Sequence, residues 1–287
     1  MPEIETRVLG RTGMTPKALG FGWAHLRTES DAVEAVRRAI ELGVDYMDTS
    51  AGYGDSERLL GLALADGWRE RVYLQTKTGT HRDRPGDYSA GGTRWSVENS
   101  LRRLGTDYLD AVLIHDPADI EPALAPGGAL DELWRMKEEG IVGHVGLGCR
   151  PQHFHRRAIE TGRLEIVLTF LDYNLMNQSA AATTLPLARE RGVGVILASA
   201  LGLGRLTGVE PDRGAEPLAH RMWKWCRERG VNIRHLSMQF CLAADIEGIV
   251  LAGPKNRQQV DDAIEAATVE VPPEVWAAFK AEFGVGL

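Results

Sequence analysis

Short apolar segments recur along the chain, and each is followed by a stretch in which apolar residues return every three or four positions. Alternation of these two patterns is typical of βα units that build a parallel sheet. The pattern predicts strands in the segments ALGFGW, GVDYMDT, VYLQTK, YLDAVLIH, VGHVGLG, EIVLTFL, VGVILAS and GIVLAG. One βα unit takes about thirty residues, so eight units in a chain of 287 residues favour a closed (β/α)8 TIM barrel over an open doubly wound sheet.

The segment before the first strand, TRVLGRTGMTPKALG, predicts an N-terminal β-hairpin. Gly13 in its turn is free to adopt a positive φ, and we expect the hairpin to cover the bottom of the barrel. Ser30 and Ser56 stand where the N-caps of the first two barrel helices are expected. Because the strand and helix pattern extends along the chain, we expect residues 1–287 to form a single barrel domain.

Composition and charge narrow the classes of partner. A net charge of −7 argues against a nucleic-acid partner, which would need clustered Lys and Arg. The three cysteines lack the paired spacing of a disulfide framework or a thiolate metal site. The most apolar stretch, GVGVILASALGLG, is too short and too rich in glycine to cross a bilayer, and no signal peptide is recognised. We therefore expect a cytoplasmic protein that binds neither membrane nor nucleic acid.

Polar residues at the ends of three consecutive predicted strands suggest an active site. Asp48 ends the second strand, Lys77 the third and His115 the fourth, while Tyr53 follows the second strand in a loop. In a (β/α)8 barrel these strand ends meet at one mouth, where the chemistry takes place. A lysine cation beside a tyrosine favours the phenolate, an aspartate holds the lysine charged, and a histidine can donate a hydrogen bond to a substrate oxygen.

Each of these residues also has an ordinary structural explanation. A strand-terminal aspartate is often a turn residue, Lys77 could be solvated, and His115 before Asp116 and Pro117 could be a hydrogen-bonded turn histidine. It is the presence of four suitable side chains above one mouth that favours a catalytic site for proton transfer to or from an alcohol or carbonyl group.

The chain resembles the aldo-keto reductase superfamily along nearly its whole length. The resemblance rests on RVLGRTGMTPKALGFG, DTSAGYGDSERLLGLAL, LQTKTG, SLRRLGTDYLDAVLIHDP, ELWRMKEEGIVGHVGLG, ASALGLGRLTG and VLAGPKNRQQVDDAI. It implies that Tyr53 is the general acid or base, that Lys77 lowers its pKa, that Asp48 supports Lys77 and that His115 positions the substrate oxygen. Within the superfamily the chain is most similar to the branch of L-galactose dehydrogenase and aldose 1-dehydrogenases, which oxidise C1 of an aldose to a lactone.

No G-x-G-x-x-G motif follows a strand and opens a helix, so a Rossmann site is not supported. The resemblance instead implies a nicotinamide dinucleotide across the barrel mouth. The implied cofactor-binding residues are Gly22, Trp23, Ser199, Leu201, Gly202, Gly253, Lys255, Arg257, Gln259 and Asp262. Gly253 and Gln259 replace the lysine and arginine with which many relatives bind the 2′-phosphate of NADPH. The expected cofactor is therefore NAD(P)(H) with a preference for NAD(H), although Lys255 and Arg257 are close enough in sequence to bind the phosphate instead.

On the substrate side, we expect Trp23 and His25 to line the pocket together with Tyr53 and His115. An aromatic wall formed by Trp23 suits the apolar face of a sugar, and polar residues of the loop THRDRPGDYSAGGTRW could bind its hydroxyl groups.

Three other functions remain open at this point. The first is an NADPH-dependent aldehyde or ketone reductase of broad specificity, and the second is a nicotinamide-binding regulatory subunit without catalysis. A metal-dependent barrel hydrolase is the third, because HFH and IHDP offer ligands. It is disfavoured because His153 and His155 follow Pro151 at a helix start and no H-x-H ends the first strand.

Overall fold

The computed structural model describes residues 3–287. These residues contain a closed barrel of parallel strands, each paired with its neighbours in chain order, and the first strand also pairs with the last. The strands are β1 (Leu19–Gly22), β2 (Tyr46–Asp48), β3 (Tyr73–Thr78), β4 (Leu109–His115), β5 (Val142–Gly148), β6 (Ile166–Phe170), β7 (Gly194–Ala198) and β8 (Gly248–Ala252). The predicted (β/α)8 TIM barrel is confirmed, with a strand in each predicted segment.

Helices surround the barrel and connect its strands. They are α1 (Glu29–Glu41), α2 (Ser56–Leu64), α3 (Ala90–Leu104), α4 (Glu121–Leu124), α5 (Ala129–Glu138), α6 (Gln152–Ile159), α7 (Thr184–Glu190), α8 (Pro217–Glu228), α9 (Ile233–Leu242), α10 (Arg257–Thr268) and α11 (Pro273–Phe283). None of the helices in residues 3–287 combines the length and the apolar character that crossing a bilayer requires.

Two expected helix caps are wrong. Helix α1 is capped by Thr28, whose hydroxyl accepts a hydrogen bond from the Asp31 N–H, so Ser30 lies inside the helix. Ser56 is the first residue of α2 and makes no cap. Its hydroxyl is buried and instead donates to the carbonyl oxygen of Trp23 at 2.6 Å. The tertiary contact takes the hydroxyl away from the local backbone.

The chain before β1 turns back on itself and closes the lower end of the barrel. An antiparallel bridge joins Thr6 to Lys17, and Gly13 in the turn has a φ of 78°. Leu9 and Met14 pack among the side chains that fill the barrel interior. The expected hairpin and its position are confirmed, although its two arms share a single bridge instead of an extended ladder.

Two apolar layers stabilise the fold and position the mouth. The larger lies between the barrel and its helices, and the smaller fills the barrel interior with residues such as Leu113, Ile196 and Ile249. Near the bottom of the barrel, the interior side chains of β2, β3 and β4 are Tyr46, Tyr73 and Ala111. At the C-terminal ends of these strands, the interior positions carry charged and polar residues.

Candidate active site

The strand register brings three predicted residues to the same side of the sheet. Asp48 of β2 lies opposite Gln75 of β3, so both point into the barrel, and Lys77 follows on the same face because side chains alternate along a strand. Lys77 is in turn opposite Leu113, two residues before His115. The interior mouth therefore carries Asp48, Lys77 and His115 on neighbouring strands.

Lys77 and Asp48 form an ion pair that is almost completely shielded from solvent. The Lys77 Nζ lies 2.6 Å from Oδ1 and 2.7 Å from Oδ2 of Asp48, and it also donates to the carbonyl oxygen of Thr49 at 2.8 Å. Burial alone would lower the pKa of Lys77, but the charges and hydrogen bonds of Asp48 and Tyr53 outweigh it, and the net pKa is raised. The lysine is therefore a cation throughout the neutral range.

Asp48 is held from its other side by a buried hydrogen-bond chain. Gln75 donates from Nε2 to Asp48 Oδ1 at 2.6 Å, and Tyr46 donates its hydroxyl to Gln75 Oε1 at 2.8 Å. A buried ion pair is stable only where such additional hydrogen bonds satisfy its remaining lone pairs and protons. Gln75 was not predicted as a site residue, yet its position two residues before Lys77 would have placed it on the same face.

Tyr53 lies above this ion pair, in the loop between β2 and α2. The Lys77 Nζ is 4.7 Å from the centroid of its ring. Burial raises the pKa of Tyr53 above its usual value near 10, whereas the Lys77 cation acts in the opposite direction. The lysine thus acts in the expected direction, but desolvation is the larger effect, so the net pKa of Tyr53 is raised.

His115 closes the other side of the mouth. Its ring meets that of Tyr53 edge to face, with centroids 5.6 Å apart. Burial and the nearby Lys77 lower the pKa of His115 to about 3, so the imidazole is neutral at physiological pH. A neutral imidazole has one N–H donor and one acceptor nitrogen.

Two hydroxyl groups determine which nitrogen of His115 faces the mouth. Nδ1 lies 2.7 Å from Oγ1 of Thr80 and 3.0 Å from Oγ of Ser50. Ser50 Oγ already accepts the backbone N–H of Gly52 at 3.0 Å, so its own proton can be donated to Nδ1. With Nδ1 as acceptor, Nε2 carries the proton and is a donor for a substrate oxygen.

The sequence reasoning missed further residues around His115. Tyr88, from the long loop after β3, donates its hydroxyl to the His115 carbonyl oxygen at 2.6 Å, and burial raises the pKa of Tyr88 to about 12. Asp116 follows His115, and its Oδ2 lies 3.5 Å from His115 Nε2. Neither the loop conformation that brings Tyr88 inward nor the direction of Asp116 has a signal in the sequence pattern.

The residues after β1 are only partly arranged as expected. Trp23 has no exposed surface, and its indole N–H points to Met47 Sδ at 3.0 Å. An aromatic pocket wall formed by Trp23 is therefore wrong, because the side chain turns from the mouth into the apolar layer beneath the helices. Gly22 lies beside Asp48, where an added β-carbon would approach Oδ2 to 3.4 Å. His25 is exposed and close to Gly253.

The loop after β7 has a strained backbone at the predicted cofactor residues. Ser199 and Leu203 have φ angles of 62° and 54°, values that side-chain-bearing residues rarely adopt. Gly202 has a φ of 59°, and a β-carbon there would lie 2.4 Å from Met176 Cε. Leu201 packs against the larger apolar layer. The loop can approach a ligand closely because Gly202 and Gly204 carry no side chains.

At the end of β8, only some of the predicted residues have side chains available for a cofactor. Gln259 accepts the Lys255 N–H at 3.1 Å and donates its own backbone N–H to Asn256 Oδ1, so it is part of the α10 cap. Asp262 pairs with Arg234 at 2.5 Å. These bonds already hold the Gln259 side-chain oxygen and one Asp262 carboxylate oxygen.

Lys255 and Arg257 are exposed at the same helix start, and within residues 3–287 neither forms an ion pair. Two cations beside the N–H groups of a twelve-residue helix fit the phosphates of a dinucleotide. The residues present at the mouth thus fit a nicotinamide dinucleotide.

His155 of the HFH segment has a structural role. Nδ1 of His155 lies 2.9 Å from Thr184 Oγ1, and Nε2 lies 2.9 Å from the Cys149 carbonyl oxygen. Both ring nitrogens of this buried side chain therefore have hydrogen-bond partners in the protein.

Comparisons with known proteins identify a family for the chain. The model of the Aldo/keto reductase family matches residues 18–282. The chain is 32% identical to L-galactose dehydrogenase of Arabidopsis thaliana, over 93% of this chain and 89% of that protein. It is 27% identical to D-threo-aldose 1-dehydrogenase of a Pseudomonas species, over 92% of this chain and 93% of that protein.

A solved aldo-keto reductase structure from Pseudomonas aeruginosa superposes with a TM-score of 0.73 at 24% identity, covering 91% of this chain and 93% of that chain, and supports the fold. The family model covers most of the chain. The chain belongs to the aldo/keto reductase family and is an NAD(P)-dependent oxidoreductase.

Proposed function

We propose that this chain, as a single barrel domain, is an aldose 1-dehydrogenase that oxidises C1 of a sugar to the lactone and prefers NAD. The observation that carries the proposal is the convergence of Tyr53, the Lys77–Asp48 ion pair and His115 on one side of the barrel mouth. The sugar as substrate is supported by the two relatives, whose names describe dehydrogenases of L-galactose and of aldoses.

In the oxidation, Tyr53 is proposed as the general base. Its phenolate accepts the proton of the C1 hydroxyl while the C1–H bond breaks and the C1–O bond becomes a carbonyl. The nicotinamide, when bound, supplies the acceptor for the hydride and its two electrons. Lys77 stabilises the phenolate by its charge, and Asp48 keeps Lys77 protonated and in place. His115 donates its Nε2–H to the substrate oxygen.

In the reverse direction, the same residues act on a carbonyl group. Tyr53 is then a phenol that donates its proton to the oxygen as that oxygen gains negative charge. The raised pKa of Tyr53 means that this protonated form predominates at neutral pH. Residues Gly22, Ser199, Leu201, Gly202, Gly253, Lys255 and Arg257 are the ones proposed to hold the cofactor.

The preference for NAD rests on the residues at the start of α10. A 2′-phosphate is best bound by a bidentate arginine, and the position where the family resemblance expects one is Gln259, whose side chain caps the helix. Lys255 and Arg257 can still attract that phosphate, so NADP is expected as a weaker alternative.

A second candidate is an NADPH-dependent reductase of aldehydes. The protonated Tyr53 and the exposed cations Lys255 and Arg257 favour it, since a reductase needs the acid form and NADPH carries the additional phosphate.

A substrate screen in both directions with NAD(H) and NADP(H) tests the proposal. Aldose oxidation should exceed aldehyde reduction in kcat/KM, with NAD above NADP. Reduction of simple aldehydes by NADPH without aldose oxidation would instead establish the second candidate. Tight cofactor binding without turnover of any sugar or aldehyde would show a non-catalytic binding protein and reject both enzymes.

A further inference from the structure

Asp116 is a mouth residue for which the proposed mechanism has no role. It follows His115 directly, at the end of β4, and its side chain is 44% exposed. Its backbone N–H donates to the Gly148 carbonyl oxygen at 2.9 Å, and its φ is 41°. Left-handed conformations are uncommon outside glycine, although aspartate tolerates them better than most residues.

The Asp116 carboxylate lies beside His115 and within the electrostatic field of Lys77. The basic atom within ion-pair distance is His115 Nε2, at 3.5 Å, and the low pKa of His115 leaves that imidazole neutral. Among residues 3–287 no lysine or arginine forms an ion pair with Asp116. Burial raises its pKa, with Lys77 acting in the opposite direction. The carboxylate is partly desolvated but still 44% exposed, so its oxygens are open to accept a hydrogen bond from a ligand hydroxyl.

We propose that Asp116 accepts a hydrogen bond from the hydroxyl on the carbon next to the reacting carbon, which is the C2 hydroxyl when the substrate is an aldose. The inference rests on the proposed function, because it assumes that the reacting oxygen lies at Tyr53 and His115. His115 Nε2–H then donates to the reacting oxygen while Asp116 Oδ2 accepts from its neighbour. A donor and an acceptor 3.5 Å apart match two oxygens carried by adjacent carbons.

This arrangement makes Asp116 a specificity residue. A site that binds a substrate hydroxyl discriminates against the analogue that lacks it when the bound substrate covers the acceptor and leaves it unpaired. Simple aldehydes and 2-deoxy sugars would leave Asp116 in that state, whereas 2-hydroxy substrates satisfy it.

The test measures kcat/KM for two substrates with each of two proteins. An aldose and its 2-deoxy analogue are compared with the wild type and with Asp116→Gly, which removes the carboxylate and accepts the positive φ without strain. We expect the wild type to prefer the 2-hydroxy sugar by about ten- to hundredfold in kcat/KM, the size of a hydrogen bond to a charged group. In Asp116→Gly the preference should fall to about threefold or less.

Asp116→Asn and Asp107→Asn provide matched comparisons. Asp116→Asn keeps the shape and should lose part of the preference, because a neutral acceptor is weaker than a charged one. Asp107→Asn makes the same charge change at the other end of β4 and should keep the full preference. An unchanged preference in Asp116→Gly, or a wild type that uses both sugars equally, would overturn the inference.

Failure of the proposed function gives a different result. If the wild type oxidises no aldose but reduces aldehydes, the same comparison is run with glyceraldehyde and propanal, which differ in hydroxyl groups. A preference for glyceraldehyde that depends on Asp116 would then retain the inference while rejecting the sugar dehydrogenase. Equal use of both aldehydes would reject the inference as well.

Discussion

Lys77 is a buried cation whose charge depends on a few oxygen atoms. Its ammonium group is 1% exposed and is bonded to Asp48 and to the carbonyl oxygen of Thr49. Removing one partner of such a pair costs about 3–5 kcal/mol because the other charge stays buried and unpaired. Lys77 is therefore held in one position, which places its charge 4.7 Å from the ring of Tyr53.

Tyr53→Phe tests the proposed acid–base role of the tyrosine. Loss of the hydroxyl should lower kcat by at least about a hundredfold, because general acid–base catalysis contributes about 10²–10⁴. Cofactor affinity should change little, since the proposed cofactor-binding residues lie on other loops. Rapid kinetics and a fluorescence titration with NADH measure the two quantities. Tyr88→Phe, which changes a hydroxyl bonded to the His115 carbonyl oxygen, is a control that should keep most of the activity.

The pH dependence follows from the pKa directions of Tyr53 and His115. The pKa of Tyr53 is raised, so the phenolate fraction and kcat/KM for oxidation should increase steadily from pH 6 to 9, while kcat/KM for reduction stays constant. His115, with a pKa of about 3, remains neutral over this range. An acidic limb near pH 6.5 in the reduction profile would contradict this assignment, because it would show that His115 titrates there.

At the scale of elements, the strands could be predicted because each is a short apolar run bounded by glycine or a charged residue. Asp48, Lys77 and His115 could be predicted because they end such runs. Gln75 was also within reach, since alternation along β3 places it beside Lys77. The arrangement of residues in the long loops could not be predicted.

Ser56 and Tyr88 show why the arrangement of the loop residues could not be predicted. Ser56 has the sequence signature of an N-cap but donates its hydroxyl to Trp23, on the preceding βα unit. Tyr88 lies in a loop whose sequence suggests exposure, yet it packs against Gly79 and bonds to His115. The Ser56–Trp23 and Tyr88–His115 hydrogen bonds each join different βα units. Local sequence patterns carry no information on such contacts.

Helix α2 gives a prediction at this scale. Gly61 lies in the helix where a β-carbon would be 2.7 Å from the Leu104 carbonyl oxygen and 2.8 Å from that of Arg103. Helix propensity alone would make Gly61→Ala stabilising by about 1 kcal/mol. We expect destabilisation by about 1–3 kcal/mol instead, because α2 and the end of α3 must separate.

Gly91→Ala is the matched control. Gly91 lies in α3 with no atom within 4 Å of an added β-carbon, so the substitution should be neutral or stabilising by up to about 1 kcal/mol. Urea unfolding of both variants provides the comparison. A Gly61→Ala protein that is more stable than the wild type would show that the close approach of α2 and α3 is not as described.

In the whole molecule, the residues that close the barrel bottom lie far from the mouth, where the proposed chemistry takes place. The N-terminal segment closes the bottom through Leu9 and Met14, and Arg11 donates to the Leu164 carbonyl oxygen at 2.6 Å. The proposed catalytic residues occupy the opposite end, as expected for this fold.

Leu9→Ala tests this separation. Leu9 is fully buried, so its truncation should lower the free energy of unfolding by about 2–5 kcal/mol while kcat stays within about twofold of the wild type. The neighbouring Val8→Ala, at a side chain that is 51% exposed, should change stability by less than about 0.5 kcal/mol. A large loss of kcat in folded Leu9→Ala would indicate coupling between the two ends of the barrel.

The cap formed by Gln259 links cofactor choice to the integrity of α10. Its side chain accepts the Lys255 N–H, and its backbone N–H is bonded to Asn256. An arginine at this position would add a phosphate ligand but would lose the acceptor that holds Lys255. Mutational routes from one dinucleotide to the other therefore pass through proteins with a loosened helix start, unless a second substitution restores the cap. This trade-off would favour changes at Lys255 or Arg257 during divergence, because both are exposed and neither supports the helix by its side chain.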